Sequence, residues 1–209
     1  MKKRIICLTL ALIMIMSLVP LSALADGSPF KDVSEMNGSK KNPFYEAILW
    51  AVDNNITTGY KDNTFKPGAT CTRGHVVTFL WRAAGSPEPQ SLKNPFKDVK
   101  ESSPFYKAIL WAAERGVTTG YSDGTFRPNA ACTRAHVVTF MWRYFGMPGP
   151  TGDIRLKDLD GLNKDFREAI LWAASKGITT GYSDGSFRPN ASCTRAHVVT
   201  FLWRDLTKG

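Results

Sequence analysis

Outside its first 25 residues the chain has no apolar stretch near the roughly 20 residues that a membrane-crossing helix needs. Cysteine and histidine are scarce, at four and three in 209 residues. Cys7 lies in the opening segment. That leaves Cys71, Cys132 and Cys193, an odd set that cannot pair fully within one chain, so a complete disulfide framework is excluded. Negative charge is also short, with 18 Asp plus Glu against 27 Lys plus Arg and a formal net charge of +9. Hydrophobic residues at 43% and aromatics at 11% are globular values and exclude a wholly disordered chain.

The opening segment has the layout of an export signal. Lys2, Lys3 and Arg4 precede an apolar run over residues 5–19, then Pro20 and a small-x-small site at Ala23-Leu24-Ala25. A run of fifteen residues, all apolar but Thr9 and Ser17, is short for a stable span. Cleavage after Ala25 would leave 209 − 25 = 184 residues with charge +9 − 3 = +6. The expectation is an exported protein with no membrane span once residues 1–25 are removed. Outside the cell its basic surface would meet anionic polymers rather than nucleic acid.

The rest of the chain is a triplicate. The three cysteines are 61 residues apart, as are Trp50, Trp111 and Trp172, and Trp81, Trp142 and Trp203. Residues 104–143 share 31 of 40 positions with 165–204, and 27 of 40 with 43–82. Such self-similarity fixes a repeat architecture before any propensity is weighed. Pro/Gly-rich stretches at 83–95 and 146–153 mark the joints, giving units at 26–85, 92–146 and 153–209.

In the second unit, Phe105, Ile109 and Ala112 fall at i, i+4 and i+7, a first helix ended by Gly116. Tyr121-Ser122-Asp123-Gly124-Thr125-Phe126 then suggests a tight turn or a small hairpin. Asn63 replaces the turn glycine in the first unit and tolerates the same positive φ. A second helix starts at Thr133 as N-cap. It is apolar nearly all round and therefore buried. One 60-residue unit cannot enclose such a helix. The predicted fold is mainly α, three helix–turn–helix repeats closed about a pseudo-threefold axis with a central bundle of three inner helices.

Arg73, Arg134 and Arg195 each follow a Thr N-cap, where the helix dipole disfavours a cation. Two readings stay open. In one, free helix-start N–H groups and the planar guanidinium bind a carboxylate or phosphate. In the other, each Arg pairs with a neighbouring unit's Asp.

Phe-x-Asp-Val, Ala-Ile-Leu-Trp-Ala, the Thr-Thr-Gly-Tyr-x-Asp turn with Phe-Arg-Pro, and Thr-Arg-Ala at the second helix resemble S-layer homology domains. The resemblance covers nearly all of the chain after residue 25, three times over. It implies a three-pronged spindle that anchors exported proteins non-covalently to an anionic secondary cell-wall polysaccharide attached to peptidoglycan, often one bearing pyruvate ketals. It also implies ligand-binding roles for Arg73, Arg134 and Arg195, in grooves between prongs at the bacterial cell surface.

The chain departs from that pattern at His75, His136 and His197, where the family usually carries Glu or Gln. The imidazoles either contact the ligand or only substitute for the capping carboxylate. Gly74 replaces Ala135 and Ala196, which marks the groove using Arg73 as the candidate for degeneracy. Lys66, Arg127 and Arg188, after the turn Phe, are groove rims or solvated charges. The inner-helix tryptophans read as core, and the other set as core or sugar platforms.

Cys-x₃-His occurs three times and suggests zinc. An exported metal-binding or self-assembling scaffold is therefore the alternative function. The cysteines precede the N-cap, however, and suit small buried hydrophobes better, so no metal or cofactor is expected. No nucleophile, base and orienter converge in this pattern, and Asp123 with His136 is a pair without a nucleophile. No enzyme is expected.

Overall fold

The computed structural model describes residues 27–91 and 93–208; the export signal expected at 1–25 lies outside them. Thr72 and Thr133 act as the N-caps their sequence calls for, each with extended backbone and a side chain that accepts from His75 N–H or His136 N–H. They start α2 (Arg73–Ala83) and α4 (Arg134–Tyr144), and Thr194 does the same before α6 (Arg195–Lys208). The outer helices are α1 (Tyr45–Asp53), α3 (Tyr106–Glu114) and α5 (Lys164–Ser175). The last is 12 residues against 9, because Asn163 caps Phe166 N–H and starts it earlier. Only one small sheet occurs among the described residues, β1 (Met36–Asn37) antiparallel to β2 (Lys40–Lys41). The protein is thus mainly α.

The segment after each outer helix is a tight turn and not a stranded hairpin. Tyr121 N–H donates to Thr125 O at 2.8 Å and Gly124 N–H to Tyr121 O at 3.0 Å. Asn63 keeps the same turn at φ 58°. Asp98 fixes its exit: Oδ1 accepts Phe126 N–H at 2.8 Å and Oδ2 accepts Arg127 N–H at 2.7 Å. Asp32 and Asp158 do the same in the other units. The clamp holds Lys66, Arg127 and Arg188 at φ 59°, a left-handed conformation that is costly without a glycine.

The units close head to tail. Around the axis Cys71 N–H donates to Cys193 O at 2.8 Å, Cys132 N–H to Cys71 O at 2.9 Å, and Cys193 N–H to Cys132 O at 2.9 Å. The inner helices α2, α4 and α6 gather there, yet their largest helix contacts are with the outer helix of the following unit: α2 with α3, α4 with α5, α6 with α1. The sequence unit and the packing unit are therefore out of step. The three cysteines are fully buried, and burial pushes the Cys71 and Cys193 thiols up to about 12.

The tryptophans differ from expectation in depth. Trp111 and Trp172 of the outer helices and Trp142 of an inner helix are buried, whereas Trp50, Trp81 and Trp203 are only half-buried, so the core reading of the inner set holds for Trp142. Trp81 and Trp142 reach outward to tie down the linkers, donating from Nε1 to Pro87 O at 2.8 Å and Pro148 O at 2.9 Å.

Closure makes a direct prediction. A chain ending at residue 150 takes α5 from α4 and α6 from α1, and removes two of the three axial hydrogen bonds. It should lose its cooperative thermal transition by circular dichroism. A single transition at the Tm of the full chain would contradict closed packing.

Candidate functional site

Each helix-start arginine turns away from its own unit into the next. Arg73 Nε donates to Phe126 O at 2.9 Å, Arg134 Nε to Phe187 O at 2.9 Å, and Arg195 Nε to Phe65 O at 2.8 Å, which closes a second ring around the axis. The Arg73 guanidinium sits among three rings, with Tyr121 and Phe126 at 4.8 Å and Phe140 at 5.1 Å. Arg134 and Arg195 have the same surroundings. These cation–π contacts offset part of the cost of burial. All three arginines are no more than 4% exposed, and burial lowers their pKa from the ordinary value without removing the charge.

Neither sequence reading of these arginines holds as stated. The helix-start N–H groups are not free: Arg73 and Gly74 donate theirs to Ala130 O and Pro128 O of the next unit, and Thr72 Oγ1 takes that of His75. The same arrangement recurs at Arg134 and Arg195. An Asp partner is not found either, since among the described residues no carboxylate pairs with any of the three. Among the described residues only Nε of each guanidinium is engaged, so the terminal nitrogens keep their hydrogen-bonding capacity at a buried cation.

Grooves form where these arginines arrive. The Arg73 groove encloses about 480 Å³ and draws on all three units: Arg73 from the first, Tyr121, His136 and Arg143 from the second, and the start of α5 from the third. The Arg134 groove, with Tyr182, His197, Arg204 and Phe44, encloses about 150 Å³. Symmetry places Arg195 opposite Tyr60 and His75, against Phe105. Gly74 belongs beside that third groove, because a Cβ there would meet the Phe105 ring at 2.7 Å. The Arg73 groove, expected to be degenerate on account of Gly74, is instead the roomier of the two measured.

The histidines line the grooves without filling them. His75, His136 and His197 share a hydrogen bond between Nδ1 and the N-cap Thr hydroxyl at 2.7, 2.7 and 2.8 Å, and meet Phe105, Phe166 and Phe44 edge-on. Imidazole thus engages the cap hydroxyl itself, where a capping-box carboxylate reaches the N-cap N–H.

Lys66, Arg127 and Arg188 lie outside the linings of both measured grooves. Each is exposed, paired with Asp62, Asp123 or Asp184, and laid over the turn tyrosine at 4.2, 4.1 and 3.9 Å. Asp123, held by Thr125 and Arg127 well below the usual carboxylate range, does not join His136. No cluster of three His, Cys, Asp or Glu suited to a metal ion occurs among the described residues. The cysteine backbones belong to the axial ring, and the histidine Nδ1 atoms to the caps.

Sequence reasoning missed three contributors. Asp32, Asp98 and Asp158 were visible as the constant acid of the opening motif. Tyr60, Tyr121 and Tyr182 were visible as the turn aromatic, but not as rings that meet a buried cation from the preceding unit. Asp165 gave no signal in the repeat, because the matching positions are Pro43 and Pro104.

The S-layer homology domain matches residues 29–77, 95–138 and 155–199. The chain is 30% identical over 191 residues to a cellulosome-anchoring protein of Acetivibrio thermocellus, a match covering 87% of this chain and 39% of that protein. A surface-layer 125 kDa protein of Lysinibacillus sphaericus is 26% identical over 186 residues, 88% of this chain and 15% of its own length. An endoglucanase of a Bacillus species is 34% identical over 122 residues, 58% of this chain and 13% of the enzyme. The chain therefore spans well under half the length of each of these relatives. No helix among the described residues is long and apolar enough to cross a membrane.

Histidine protonation gives the site's prediction. Burial first, then nearby Arg73 and Arg143, push His136 down to about 4; His75 and His197 are lowered by burial and by their own flanking arginines. In the unfolded chain imidazole titrates near 6.5. The unfolded state therefore binds protons first, so this stability is complete above pH 6.5 and is lost as pH falls toward 4. Urea midpoints should drop more from pH 7.5 to 5 in the wild type than in His136→Asn, which can still hydrogen-bond Thr133. Equal drops would contradict the assignment.

Proposed function

Because the chain belongs to the S-layer homology domain family, we propose that it is a non-covalent anchor of the bacterial cell surface, binding an anionic secondary polysaccharide of the wall in the grooves between its units. The observation that carries this reading is the buried guanidinium in each groove, charged and, among the described residues, without a carboxylate partner and with its terminal nitrogens uncommitted. A planar fork of this kind suits a carboxylate. The ligand is a sugar bearing one, and a pyruvate ketal is such a substituent. The groove tyrosines and phenylalanines present apolar faces to the sugar ring.

Residues 26–85, 92–146 and 153–209 are the three modules of the anchor, and residues 1–25 direct its export. The sugar carboxylate meets Arg73, Arg134 or Arg195, while His75, His136 and His197 hold the walls of the grooves. Lys66, Arg127 and Arg188, each paired with the Asp four residues before it, brace the turn tyrosines and do not meet the ligand. Near-identical groups repeated three times around an axis do not make the asymmetric pocket that catalysis requires, so the chain acts by binding. Several grooves on one polymer multiply modest single-site affinities.

Binding to isolated sacculi before and after chemical removal of the secondary polymer tests this reading. Arg→Ala would also remove contacts between units, so the informative variant is Arg73→Lys/Arg134→Lys/Arg195→Lys, which keeps a cation in each ring box and loses the fork. A charge-assisted hydrogen bond is worth about 1.5–3 kcal/mol, roughly one to two decades in affinity per groove. The folded triple variant should release from intact sacculi, and the wild type should not bind stripped ones. Undiminished binding by that variant, or equal binding to stripped sacculi, would overturn the proposal.

A further inference from the structure

The three grooves carry the same motif but not the same chemistry. In the Arg134 groove Arg204 is drawn back, its Nη1 donating to Ile178 O at 3.2 Å, and Arg82 is held likewise by Ile56 O at 3.2 Å beside the third groove. Arg143, the matching residue of the Arg73 groove, instead reaches across to the third unit and bonds Asp165 at 2.7 Å. Asp165 can do this because Asn163-Lys164-Asp165 starts α5 a turn early, where the second unit has Ser102-Ser103-Pro104.

A second difference lies one turn back along the same helix. Thr78 Oγ1 donates to Gly74 O at 2.8 Å and Thr200 Oγ1 to Ala196 O at 2.7 Å, the usual internal bond of a helical threonine. Thr139 also lines its groove and is only 3% exposed, yet among the described residues its Oγ1 has no partner. A buried hydroxyl left without a partner is destabilising unless something else supplies the bond. Size points the same way. Pockets for small molecules enclose about 300–1,000 Å³, and the Arg73 groove at about 480 Å³ falls in that range while the Arg134 groove at about 150 Å³ does not.

We infer that the Arg73 groove is the principal ligand site of the chain, and that the Thr139 hydroxyl bonds a sugar ring hydroxyl there, beside the carboxylate that meets Arg73. This rests on the anchoring reading for the class of ligand. Asp165 holds Arg143 across the groove mouth, so the lining cations left outside that pair are buried Arg73 and exposed Lys164. The site therefore suits an anionic sugar whose carboxylate meets the Arg73 fork while a neutral ring hydroxyl meets Thr139.

Thr139→Val, Thr78→Val and Thr200→Val in the otherwise complete chain separate the grooves, since valine keeps the shape and removes only the hydroxyl. Thr139→Val should weaken binding to polymer-bearing sacculi by roughly two- to tenfold, the worth of one neutral hydrogen bond. The other two should match the wild type. A second arm does not depend on walls: amide chemical shifts are followed as methyl glucuronide, and separately the uncharged methyl glucoside, is added. Shifts should begin at Tyr121, Thr139 and Phe166 with the glucuronide, ahead of Tyr182 and Thr200. Wild type that fails to bind sacculi while the glucuronide still fills the Arg73 groove would remove the anchoring reading and keep the ranking of grooves. Equal losses in all three valine variants, no loss in Thr139→Val, or shifts that begin in another groove would overturn the ranking.

Discussion

The closed circle of backbone hydrogen bonds joining Cys71, Cys132 and Cys193 is the constraint on which the rest of the molecule depends. Each cysteine lies immediately before an N-cap threonine, so the circle sets where the three inner helices begin. With those starting points fixed, the first N–H groups of each helix meet the carbonyls of the next unit's turn, and each helix-start arginine can lie only in that neighbour. A buried cysteine fits here for a plain reason: three side chains crowd one axis, and a small apolar thiol packs there without a hydrogen-bonding demand.

That geometry determines the electrostatics of the grooves. A cation at a helix start is unfavourable within its own unit, and the structure moves it into another unit's ring of aromatic faces and a turn carbonyl. The turn is in turn held by the Asp98 type of clamp, whose two oxygens set the carbonyl of Phe126 and its counterparts. Stability and recognition thus share parts. The contact that joins the units leaves the outer edge of the guanidinium available, and the groove is the place between units where that edge can be reached.

Much of this was legible in the sequence. The 61-residue period gave the number of units, the all-apolar second helix required a shared interior, and Thr72, Thr133 and Thr194 were readable as caps from local chemistry alone. What stayed hidden was relational. Nothing in one repeat says that its inner helix packs on the next repeat's outer helix, or that its arginine leaves home. Trp111 and Trp172 looked no more apolar in context than Trp81, yet depth in a closed ring depends on which face meets a neighbour. Asp165 and Thr139 were equally silent. The first breaks the repeat, and the second obeys it in sequence while differing only in which bond it makes.

If the axial circle is what couples the units, its three amides should behave as one. Native-state hydrogen exchange of Cys71, Cys132 and Cys193 in the chain that begins at Asp26 measures this directly. All three amides should exchange at a common slow rate, through opening events with the free energy of global unfolding. One cysteine amide exchanging by a cheap local opening, while the other two remain protected, would show that the units close without the circle.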